Sequence, residues 1–80
     1  MPTIELRLHA GLERYASVER AGAALPLSLH DGATVGDVLR HLGIPEGAVH
    51  LIFVNGFAQS LDSSLKEGDR VALFAPVGGG

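Results

Sequence analysis

The sequence predicts an α+β domain in which one main helix packs on one face of a mixed four- to five-stranded sheet. Three observations carry that expectation. Short stretches alternate apolar and polar residues with a period of two, the pattern of half-buried strands. One segment, opening at Thr34, has a complete helical signature of start signal, apolar stripe and stop signal. Asn55-Gly56, the strongest two-residue hairpin signal, links two strand-like runs.

Taken in order, Ile4, Leu6 and Leu8 alternate with Glu5, Arg7 and His9 and form a first strand. Between Gly11 and Ser17, the spacing of Leu12, Tyr15 and Ala16 predicts a short helix, and Glu19 to Ala24 is a loose connection. Leu25, Leu27 and Leu29 form a second strand. Pro26 has no N–H to give a ladder, so this strand belongs at a sheet edge. Asp31-Gly32 turns the chain. Thr34 then stands as N-cap, with Asp37 reaching back as a capping-box partner. Val35, Val38, Leu39 and Leu42 form one apolar stripe, Gly43 stops the helix in a left-handed cap, and Pro45 follows. The run His50 to Val54 is continuously apolar and predicts a strand buried on both faces. Beyond Asn55-Gly56, Phe57 to Gln59 is a short strand, and Asp62 to Leu65 predicts one helical turn capped by Asp62. Lys66 to Asp69 turns into the last strand, Arg70 to Ala75. If Val71 and Leu73 face the helix, Ala72 and Phe74 project from the opposite face.

Composition narrows the function. Eighty residues make one domain, and 46% apolar content supports one modest core. The absence of cysteine excludes disulfides, Cys-ligated zinc, iron–sulfur clusters and a thiol nucleophile. The opening Met1-Pro2-Thr3 has no signal-peptide pattern, and no apolar run is long enough to span a bilayer, so the expected location is cytoplasmic, without a membrane partner. A net charge of −3 with dispersed basic residues gives no footprint for nucleic acid. His9, His30, His41 and His50 have no i, i+4 spacing, so no metal site is predicted. Neither a Ser/His/Asp elbow motif nor a phosphate loop is present.

The chain runs from a compact apolar strand into Val77-Gly78-Gly79-Gly80. Glycine lacks Cβ, so such a flexible arm can enter a narrow channel and bring a carboxylate close to another backbone or a phosphate. Composition leaves two readings open: a working carboxylate on Gly80, or an inert end where small residues are tolerated.

The order of elements with a glycine end resembles the ubiquitin-like β-grasp fold, and within it the sulfur-carrier family of the MoaD and ThiS type. The residues that carry the resemblance are Gly32 to Leu39 at the helix start, Val54-Asn55-Gly56 at the hairpin, and Leu65 to Val77 with the terminal glycines. It covers essentially the whole chain. Leu8 to Tyr15 is similar to the opening of the molybdopterin synthase small subunit, where the thiamin type is usually shorter. Two departures stand out: a third glycine, Gly78, and Ala75 where a second proline often stands.

The resemblance implies a β-grasp domain over residues 1–77 and a tail over 78–80. It implies that a ubiquitin-activating-type adenylyltransferase draws Gly78 and Gly79 through a channel and uses ATP to adenylate Gly80. A sulfurtransferase or cysteine desulfurase would then leave a thiocarboxylate there, for transfer through a molybdopterin synthase large subunit or another acceptor. The chain would be a carrier with no bound cofactor and no catalytic residue of its own. The same resemblance places partner docking at Phe74, Pro76 and Val77. Three alternatives stay open: sulfur carriage for thiamin or another sulfur pathway, conjugation of the tail to protein lysines, and a plain interaction module.

Overall fold

The computed structural model describes residues 1–16 and 24–76. The expected loose connection at residues 19–24 falls mostly outside that range, as do Ser17, Val77 and Gly78 to Gly80.

Among the described residues five strands form one sheet: β1 (Thr3–His9), β2 (Leu25–Ser28), β3 (Leu51–Val54), β4 (Phe57–Ala58) and β5 (Arg70–Phe74), in the order β2-β1-β5-β3-β4. The central pair, β1 and β5, is parallel, and the other pairings are antiparallel. The mixed sheet with one α-helix therefore matches the sequence expectation at its upper strand count. β2 lies at an edge, with Pro26 opposite Glu5, as its missing N–H requires. The segment after Gly11 coils as a 3-10 helix, Leu12–Ala16, which buries Leu12.

The helix α1 (Val35–Leu42) starts and stops where its sequence signals stand. At the N-terminus, the Asp37 N–H donates to Thr34 Oγ1, and the Thr34 N–H donates to Asp37 Oδ2 at 2.9 Å. This reciprocal pair satisfies two amides that the helix cannot pair internally. The Thr34 N–H holds the Asp37 carboxyl below its ordinary value, with Arg40 as the second cause. At the C-terminus Gly43 adopts φ +74°. The Gly43 N–H donates to the Arg40 carbonyl and the Ile44 N–H to that of Leu39, a Schellman closure.

The core lies between α1 and one face of the sheet. Leu6 and Leu8 from β1, Val71 and Leu73 from β5, and Val35, Val38 and Leu39 from α1 are all buried. Among the described residues no polar or charged side chain is buried. No helix among them is long and apolar enough to cross a membrane.

Two expectations are corrected. The run around β3 is not buried on both faces: Leu51 is 44% exposed, Ile52 and Phe53 are half-buried, and only Val54 is buried. One helix covers one side of the sheet, and β3 is shielded outward only by the two-residue β4. The predicted helical turn at Asp62 to Leu65 is absent, and Asp62 caps nothing. The carbonyls of Leu61 and Ser63 instead accept the N–H groups of Gly36 and Val35 at the start of α1. Ser64 bridges Thr34, and the Leu65 N–H donates to the Ala33 carbonyl at 2.8 Å. That segment is not helical because its backbone groups complete another element's terminus.

Candidate functional site

Strand alternation sends Val71 and Leu73 into the core, leaving Arg70, Ala72 and Phe74 on the uncovered face. Register adds the neighbours. Arg7 lies beside Ala72 and His9 beside Phe74 on one side of β5. On its other side Phe53 pairs with Ala72 and Leu51 with Phe74. The result is an aromatic surface. The His9 and Phe74 rings stack in parallel, 4.4 Å between centroids and 5° between planes, and Phe53 meets Phe74 edge-on at 5.7 Å.

Phe74 is half-buried and outside the core, as alternation requires, and Pro76 is exposed. Val77, Gly78, Gly79 and Gly80, the remaining residues the resemblance singles out, lie outside the described residues. Because β5 is central and parallel to β1, the chain leaves the sheet beside the His9–Phe74 stack and continues towards those glycines.

The far end of β5 is held by the β3–β4 turn. Asn55 and Gly56 have φ +54° and +86°, the left-handed conformations of a tight hairpin. Asn55 Nδ2 donates to Asp69 Oδ1, and its Oδ1 accepts the Arg70 N–H, each at 3.0 Å. A groove of about 440 Å³ runs along the face from this turn to Phe74, walled by Arg7, Phe53, Arg70 and Ala72. The Asn-Gly pair and the parity of β5 are visible in the sequence. The contribution of His9 and Arg7 is not, since it depends on β1 and β5 pairing in parallel from opposite ends of the chain.

Among the described residues no group of three or more His, Cys, Asp or Glu side chains could hold a metal ion. The uncovered face carries no acid–base pair poised for chemistry. It is a largely apolar, aromatic surface beside the strand that precedes the terminal glycines in sequence.

A one-helix β-grasp domain of this kind defines the class of ubiquitin-like proteins. The ThiS family profile matches residues 16–80, and the chain belongs to that family. No curated protein matches it. Among solved structures, a protein from Pyrococcus furiosus assigned as molybdopterin converting factor subunit 1 is 27% identical, with a TM-score of 0.75 over 96% of this chain and 100% of that one. Small archaeal modifier protein 1 of Haloferax volcanii is 25% identical, with a TM-score of 0.73 and the same coverage. A Caldiarchaeum subterraneum ubiquitin, at 20% identity and a TM-score of 0.59 over 99% of this chain and 98% of that one, shares the fold.

Proposed function

We propose that the chain is a sulfur carrier of molybdopterin biosynthesis whose working group is the α-carboxylate of Gly80. The observation that carries this reading is the family match, which extends from residue 16 through the glycines to residue 80. The choice of branch has separate support. Residues 8–15 resemble the opening of the molybdopterin type, and the Pyrococcus furiosus structure assigned to that type aligns with 96% of the chain.

An α-carboxylate of pKa about 3.3–3.7 is anionic at neutral pH and a poor electrophile. A ubiquitin-activating-type adenylyltransferase supplies the remedy: a carboxylate oxygen attacks the α-phosphorus of ATP, and pyrophosphate leaves. The terminal sulfur of a persulfide on a sulfurtransferase or cysteine desulfurase attacks the carbonyl carbon of the adenylate, and AMP leaves. A second thiol then reduces the acyl disulfide and frees the thiocarboxylate, which a molybdopterin synthase large subunit directs to the pterin precursor. The catalytic groups belong to those partners, and this chain is their co-substrate. Phe74 and its aromatic neighbours, with Pro76 and Val77, dock the partners while Gly78 and Gly79 thread the channel.

The likeness to small archaeal modifier protein 1 favours a second reading, in which the same adenylate is consumed by protein lysines. One experiment separates the two. The protein is incubated with its activating enzyme, ATP and a persulfide donor, alkylated with iodoacetamide and digested with trypsin. Arg70 is the last basic residue, so the tail emerges as the peptide Val71 to Gly80. Because the chain has no cysteine, alkylation of that peptide locates sulfur on Gly80. An isopeptide from Gly80 to a lysine, found instead in cell extract, supports the modifier. An unmodified tail in the presence of demonstrably active enzyme overturns both.

A further inference from the structure

We propose that the groove on the uncovered face receives a protein segment with one carboxylate and one large apolar side chain about 13 Å apart. The carboxylate sits on Arg70 and the apolar group against Phe53 and Phe74. This rests on the reading that the Phe74 face docks partners, and adds the chemistry of what docks.

The groove has two unlike ends. One is aromatic, floored by Phe53 and Phe74. The other carries the guanidinium of Arg70, exposed at the start of β5. The two carboxylates adjoining Arg70 are engaged elsewhere. Glu5, its register partner on β1, accepts from Arg7 Nε at 2.9 Å. Asp69, which precedes it, accepts from Asn55 Nδ2 at 3.0 Å and from the Lys66 N–H at 2.8 Å. Arg70 has no carboxylate partner among the described residues. A chain of net charge −3 thus presents, at the mouth of an apolar groove, a cation that makes no ion pair among the described residues. An incoming carboxylate matches it in charge and in the forked geometry that guanidinium offers. Arg70 and Phe74 are four positions apart on one strand, so at about 3.3 Å per residue their backbone positions are about 13 Å apart.

The test uses the isotope-labelled full chain and the peptide acetyl-Glu-Ser-Thr-Ser-Phe-amide, whose end side chains are equally spaced when extended. Amide shifts are followed as the peptide is added to millimolar concentration. The expected result is perturbation at Phe53, Arg70, Ala72 and Phe74. Replacing the peptide's Glu with Gln, or making Arg70→Glu, weakens binding by about fivefold, the upper range for an exposed ion pair. A Lys peptide binds Arg70→Glu more tightly than the wild type. Phe74→Ala weakens Glu and Gln peptides alike, and Phe74→Leu is measured beside it in case the truncation disturbs the stack. If Phe74 substitutions weaken binding but the charge changes do not, docking at this face stands and the role of Arg70 is overturned. If neither matters, or no amide moves, both fall. Stronger shifts of the same amides by a single-stranded oligouridylate would overturn the assignment to a protein segment.

Discussion

Asp37 joins two parts of the helix start: its carboxylate accepts from the Thr34 N–H and also pairs with Arg40 one turn on. Both interactions favour the charged form, and the folded-state pKa is lowered. A depressed carboxyl pKa contributes stability that is fully present above the unfolded value, about 3.9, and is lost as pH falls through the folded value. Wild type is therefore expected to melt above Asp37→Asn at pH 5 and higher. The margin should close as pH drops below about 4, and thermal unfolding by circular dichroism at stepped pH measures it. A margin that persists at the acid end would show that the loss is steric rather than electrostatic. The Thr34–Asp37 pair is legible in the sequence because a capping box needs only a spacing of three. The His9–Phe74 stack is not legible, because no local rule says which strand lies beside which.

Elements were legible in proportion to how much of their hydrogen bonding is internal. α1 carries its own start and stop, and both stand where the sequence places them. Gly43 is the stop: at φ +74° a Cβ would crowd the carbonyl, although nothing else in the fold lies within 4 Å of it. Gly43→Ala is thus expected to cost about 1–2 kcal/mol from backbone strain alone, read as a lower urea midpoint with an unchanged slope. A stability equal to wild type would mean that the closure tolerates another backbone geometry. The segment Asp62 to Leu65 has the residue types of a helical turn, yet its form is set by α1, whose first amides take the carbonyls of Ser63 and the preceding Leu61. β3 misleads for a related reason. An apolar run tells that a strand exists, but its burial depends on whether a second layer covers it, and here none does.

At the scale of the molecule, packing and proposed chemistry occupy different faces of the sheet. The buried side chains, Ile4 to Leu73, point to the helix side, whereas the groups assigned to docking, His9, Phe53 and Phe74, lie on the uncovered side, and the sulfur-transfer group is assigned to Gly80. That separation predicts opposite outcomes for two changes only a few residues apart. Leu73→Ala empties a wholly buried position on the central strand and is expected to cost about 2–5 kcal/mol. A domain of this size has only about 4–12 kcal/mol in total, so the variant should be largely unfolded or strongly weakened in urea. Deleting Gly79 and Gly80 removes no side chain, and the unfolding curve is expected to overlay the wild type. The deletion should nevertheless abolish tail-dependent ATP–pyrophosphate exchange by the activating enzyme, because the carboxylate would then end on Gly78, short of the α-phosphate by two residues, about 7 Å. Restoring the length with Ala-Ala in place of Gly79-Gly80 distinguishes reach from slimness. If exchange returns, length alone matters. If it does not, the channel admits only backbone without Cβ, and the glycines are needed for their lack of a side chain. Exchange that survives the deletion itself would remove Gly80 from the mechanism.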